Sequence, residues 1–231
     1  MRFRQLLSVA VVLAFLVPAL AVASGQAEPV ETNTIGISKI VAHPALDDIE
    51  EGIIERLGEL GYTDLEFDLQ NANGEITTAA SIASKFKADR VRLAVGIATP
   101  TAQALVNSIE DIPVVFSAVT DPVGAGIVES LDPGNGNVTG VSDLTPVKEQ
   151  IEFLGEMAGI ETLGHIYTSS EANAVTLANM AREACREVGI EFVEATVTNS
   201  SEVRPATQAI VGRVDGLYVS NDNTVVSALS S

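Results

Sequence analysis

Two short polar turns carry the chemistry on offer. Thr99-Pro100-Thr101 follows an apolar run, Val91–Ala98, and Thr120-Asp121-Pro122 follows a second β-branched run, Pro113–Val119. The segment between them, Ala102–Ile109, has helical character, so the stretch reads as strand, helix, strand. Thr99 is expected to cap the helix with its hydroxyl, and Pro100 suits the first helical position, where no amide hydrogen is needed. Parallel pairing would bring Thr99 and Asp121 to the same carboxyl edge of a sheet. A helix start with free amides and a positive dipole end then lies beside a carboxylate. An anion and a cation could be held side by side there, the charge pattern of a free amino acid.

Other polar side chains fall at comparable places. Ser38 closes the first strand, and His43 precedes Pro44 at a helix start. With no second ligand at metal spacing, His43 is a loop or cap residue or a ligand contact, and no metal is expected. Farther on, Tyr167 ends a strand, where its ring could cover an aromatic ligand. Ser170-Glu171-Ala172-Asn173 opens a helix, and Asn221-Asp222-Asn223-Thr224 repeats the strand-to-cap arrangement of Thr99. Asp222 offers a second carboxylate to an ammonium group. Each candidate has a plain structural alternative: helix capping for Thr99, Pro100, Thr101, Asn221 and Asn223, and an Asx turn for Asp121. His165, inside a strand, reads as a satisfied sheet residue. No GxGxxG, P-loop, HExxH or GxSxG motif occurs, and spacing forces no Ser-His-Asp set. Polar strand ends without a nucleophile and its base favour reversible binding over turnover. No catalytic residue and no cofactor is expected.

Regular alternation surrounds these turns. Ile35–Val41 is a strand; Leu46, Ile49, Ile53, Leu57 and Leu60 recur at helical spacing until Gly61; Leu65–Leu69 alternates as a strand; Ile76–Phe86 is helical. Residues 121–145 are rich in Gly, Pro, Asp and Asn, with one short strand at Asn137–Val141. Beyond Pro146 come a helix at Val147–Met157, a strand at Leu163–Tyr167, a helix at Ala172–Val188 and a strand at Glu191–Val197. A helix at Val203–Val211, a strand at Asp215–Val219 and a helix from Thr224 follow. The halves match in order: Ile35-Gly36-Ile37 with Leu163-Gly164-His165, Gly61 with Gly189, and ATPTAQAL with NDNTVVSAL. The fold class is therefore α/β, with two doubly wound parallel-sheet lobes facing a cleft. The first half goes on to a fourth strand with its Thr120-Asp121-Pro122 turn and a fifth near Val138, whereas the second stops inside the helix after its third, so the second lobe is expected to be C-terminally incomplete.

Arg2 and Arg4 precede the apolar run Leu6–Leu20, and Ala21-Val22-Ala23 supplies small residues at a cleavage point. The expected organisation is a signal peptide over residues 1–23, a linker over 24–34, a first lobe over 35–143 and a second over 144–231. The run is short for a membrane anchor, so export with cleavage near Ala23 is expected. The single cysteine, Cys185, rules out an internal disulfide and falls on an apolar helix face. The chain carries a net charge of −18, which repels nucleic acid and anionic lipid.

Six separated segments in order carry a family likeness: SKIVAHPALD at 38–47, GIATPTAQAL at 96–105, AVTDPVGAG at 118–126, VTGVSDLTPVKEQ at 138–150, SEAN at 170–173 and VSNDNTVVSAL at 219–229. Together they resemble the substrate-binding proteins of bacterial ABC transporters, in the branch associated with tryptophan and tyrosine uptake. The resemblance implies a type I periplasmic-binding-protein fold and an exported monomer that closes over an amino acid. It also implies an ABC permease in the inner membrane as partner. No lipobox cysteine is present, which implies a free periplasmic protein. An exported sensor module using the same cleft is the alternative reading, and an enzyme on the same scaffold a third.

Overall fold

The structure, a computed structural model, describes residues 32–132, 134 and 136–229. The expected signal peptide and most of the expected linker lie outside the described residues. Thr34 already pairs with Glu66, so the first strand begins inside the stretch expected to be linker.

A five-stranded sheet has the order β2-β1-β3-β4-β5, built from β1 (Thr34–Lys39), β2 (Glu66–Asn71), β3 (Leu93–Ile97), β4 (Val114–Val119) and β5 (Val138–Ser142). Between them run α1 (Pro44–Glu59), α2 (Ile76–Asp89) and α3 (Thr99–Ser108). A three-stranded sheet has the order β7-β6-β8, from β6 (Thr162–Thr168), β7 (Glu191–Val197) and β8 (Gly216–Tyr218). Its helices are α4 (Val147–Ala158), α5 (Ala172–Val188), α6 (Val203–Ile210) and α7 (Asn223–Ala228). Among the described residues all six strand pairings are parallel. In both sheets the first strand of its half sits between the next two, so the internal repeat is a repeat of topology.

Burial explains why the pattern folds this way. Strand residues Ile35, Ile37, Val95, Ile97 and Val114 join Ala79, Ile82, Ala83 and Phe86 of α2 and Leu105 of α3 in the larger core. Successive side chains of a strand face opposite sides, and β6 uses this fully. Leu163 packs with α4 and α5, while Ile166 packs with Val203, Ile210 and Val225 of α6 and α7. The matched glycines of the repeat have one purpose. A Cβ on Gly36 would stand 2.8 Å from the Phe86 ring, and one on Gly164 would stand 2.7 Å from Leu217. Side chains cross the middle strand at both points. Cys185 is buried in the α4/α5 core, and burial pushes its thiol up to about 11. Among the described residues no helix is long and apolar enough to cross a membrane.

Candidate functional site

Parallel strands end on one side of a sheet, and the carboxyl ends of both sheets contribute to one cavity of about 210 Å³. At about 30 Å³ per water this is room for roughly seven waters. From the five-stranded side come Val41, His43 and the first turns of α1, Ala98 before α3, and Ala118 and Thr120 at the end of β4. Asp143, just past β5, lies on the same wall. The three-stranded side supplies Asn173 of α5, Asn221 and Asp222 after β8, and Asn223 and Val226 of α7.

Local geometry at these strand ends departs from the sequence-based expectation in informative ways. Helix α3 is entered through Ala98 with φ 78° and ψ 156°, and no side chain caps it. Thr99 therefore does not cap: it is the first helical residue, and its hydroxyl is buried without a hydrogen-bond partner. Thr101 turns back instead, donating to Ile97 O at 2.6 Å and to Ala98 O at 3.0 Å. Pro100 is buried in the first turn. Ala118 also has positive φ, 52°, where the β4–β5 register shifts between Phe116 and Val119. Two alanines in conformations that suit glycine thus shape the cavity floor, a placement typical of binding and catalytic sites.

The acidic groups are held differently from one another. Asp121 curls onto its own turn, accepting from Gly124 N at 2.8 Å, and does not line the cavity. The Asx-turn alternative describes it, and the place expected for it is taken by Asp143. Asp222 caps α7 by accepting from Val225 N at 2.9 Å, and it accepts from Thr168 N at 2.6 Å and Thr168 Oγ1 at 2.8 Å. At 1% exposure, burial pushes its carboxyl up to about 6, and neighbouring Glu171 adds to the rise. Glu171 is itself buried, accepting from Thr224 N and Oγ1 and from Asn223 N and Nδ2. Burial likewise raises Asp143, while the Thr120 hydroxyl and the Asn221 amide beside it pull the other way.

Of the thirteen expected contact residues, His43, Thr120, Asn173, Asn221 and Asp222 line the cavity. His43 also caps α1, its Nδ1 accepting from Ala45 N at 3.3 Å. Ser38 and Thr99 do not line it, though both keep buried, unpartnered hydroxyls at the strand ends. Tyr167 is placed elsewhere: its ring stacks on His165 with centroids 5.7 Å apart, on the sheet face beneath α5. Ser170 is exposed, and Thr224 is engaged by Glu171. His165 is only half satisfied, with Nδ1 on Tyr218 O at 2.9 Å and Nε2 buried without a partner; burial lowers its pKa. No cluster of His, Cys, Asp and Glu suited to a metal occurs among the described residues.

The sequence pattern of ABC transporter substrate binding proteins matches residues 34–231. The chain belongs to that family. Its two-lobed α/β fold is that of type I periplasmic binding proteins. A tyrosine-binding protein of Clostridioides difficile is 40% identical over 201 residues, covering 85% of this chain, which spans 58% of that relative's length. The structure of an ABC domain from Streptococcus pneumonia in complex with L-Trp is 35% identical with TM-score 0.81, over 86% of this chain and 68% of that one. A ligand-free, open substrate-binding protein with adhesive properties from Clostridium difficile is 38% identical but has TM-score 0.59, over 85% and 68%.

Proposed function

We propose that this chain is the extracytoplasmic solute-binding component of an ABC importer and that its cavity takes one aromatic amino acid. The observation that carries this reading is a cavity walled by both sheets in which buried polar atoms of Asp143 and Asn173 have no protein partner. Unsatisfied buried polar groups are costly, so a site that keeps them is built for a ligand that satisfies them. The ligand's carboxylate faces the start of α3 near Thr99, where amides and the helix dipole favour an anion. Its ammonium faces the acidic wall. Its side chain lies against His43, Leu46, Ile49 and Val226, which line the cavity. His43 is the one ring among these lining residues, so an aromatic ligand is held by aliphatic contact more than by stacking.

The tyrosine-binding relative and the L-Trp complex support the ligand class. The better fit to the L-Trp complex than to the open, ligand-free relative, at similar identity, supports a closed lobe arrangement. Closure about residues 142–146 traps the ligand, and the closed form is what a permease in the inner membrane recognises. The protein acts as a periplasmic monomer after removal of its signal peptide near Ala23. Calorimetric titration with the twenty amino acids tests the proposal: saturable one-to-one binding of tyrosine or tryptophan is expected, and no binding by any of the twenty would refute it.

A further inference from the structure

Asp143 stands where the two halves meet. Its N–H donates to Val119 O at 3.0 Å, which extends the β4–β5 ladder and ties it to the five-stranded sheet. Asn221, past β8 of the three-stranded sheet, reaches over and donates from Nδ2 to Asp143 Oδ2 at 3.3 Å. The other oxygen, Oδ1, is buried without a hydrogen-bond partner, and the Thr120 hydroxyl stands beside the carboxylate. Asp222 has hydrogen-bond donors on both oxygens, and Asp121 is turned onto Gly124. Among the three strand-end aspartates, Asp143 is the one that faces the cavity with an unused oxygen. A second observation points into the same space. Asn173, 4% exposed and on the opposite wall, also keeps its Oδ1 buried and unpartnered. Its Nδ2 is spent on Asn221 O at 2.8 Å and Glu171, which fixes Oδ1 as the free end. Two orphan acceptors on facing walls call for one group with several N–H donors, and an ammonium has three.

Resting on the amino-acid reading of the cavity, we propose that Asp143 is both ammonium receptor and interlobe latch: Oδ1 takes the ligand's ammonium while Oδ2 holds Asn221. One carboxylate then joins ligand, first sheet and second sheet, so binding and closure reinforce each other. Burial raises the carboxyl of Asp143, and a cation held beside it would lower it again. The two oxygens divide the labour, recognition on one and closure on the other.

The test compares amino acids with analogues that lack only the ammonium: L-tyrosine against 3-(4-hydroxyphenyl)propanoate, and L-tryptophan against 3-(indol-3-yl)propanoate. Calorimetry on the full chain gives the affinity ratio for the pair whose amino acid binds more tightly. The unaltered protein should prefer the amino acid by about 30-fold or more, the cost of leaving one partner of a buried charge pair alone. Asp143→Asn and Asp143→Ala should each lower that ratio at least tenfold. Both leave the backbone bond to Val119 in place, and far-UV circular dichroism checks that they fold. Asn221→Ala should weaken both ligands by a similar factor and keep the ratio. An unchanged ratio in folded Asp143→Asn and Asp143→Ala overturns the proposal, as does an Asn221→Ala ratio that collapses like theirs. Failure of the unaltered chain to bind either amino acid overturns the amino-acid reading itself, and this assignment with it.

Discussion

Asp222→Asn should cost less stability as pH rises, although the carboxylate it removes is a helix cap with several hydrogen bonds. The folded state holds this carboxyl at about 6 against an ordinary 3.8, because it is buried and stands beside Glu171. Between those values the folded chain binds more protons than the unfolded one. Its stabilising contribution is therefore complete below 3.8 and is lost as pH rises through 6. The whole span is about 3 kcal/mol, and the part between pH 4.5 and 7.5 is about 2 kcal/mol. Asparagine does not titrate. At pH 4.5 it should cost about 2 to 3 kcal/mol, since it sets an amide N–H against a buried donor of Thr168 or Val225. That cost should shrink by about 2 kcal/mol at pH 7.5. Urea unfolding followed by far-UV circular dichroism at the two pH values, for both proteins, reports the Asp222–Glu171 pair, because titrations away from it cancel. A cost that stays constant, or grows with pH, would show that Asp222 is not the strained, raised carboxylate described here.

Three further outcomes follow from the same geometry. Thr99→Val keeps shape and removes a buried, unpartnered hydroxyl, so stability should rise by about 1 kcal/mol, measured by urea unfolding. Gly96→Ala places a Cβ 2.8 Å from the Ala102 backbone, which cannot yield as a side chain would. It should push the start of α3 off β3, cost about 1 to 3 kcal/mol and weaken binding in the same titration. Cys185 should resist thiol reagents at pH 8 in the folded chain and react fully in urea, because its thiol is buried and raised to about 11.

Much of the architecture was legible because hydrophobic periodicity is a local signal. Ala172–Val188 and Glu191–Val197 have the bounds read from the sequence, and the repeat pairing Ile35-Gly36-Ile37 with Leu163-Gly164-His165 identifies the middle strand of each sheet. Side-chain direction at the strand ends was less legible. Thr99 had the residue type of a cap, but the positive-φ Ala98 ahead of it takes the cap position, and an alanine gives no warning of that backbone. Tyr167 alternates onto the face of His165, away from the cavity, which depends on how β6 meets α5. Asp143 did leave a signal. The rule that selects Asp121 after β4 selects Asp143 after β5 equally well, and only the competition for Gly124 N–H separates the two. Glu171 was passed over because a carboxylate that caps another helix's start, through Asn223 and Thr224, is a contact across 52 and 53 residues that no spacing rule reaches.

Native mass spectrometry of the unliganded chain in an equimolar mixture of the twenty amino acids tests the central claim most directly. The account predicts a single adduct of one molecule per chain with the mass of tyrosine or tryptophan, lost when Asn173→Leu fills the cavity wall. A bare chain, or adducts of many masses that survive Asn173→Leu, would contradict it.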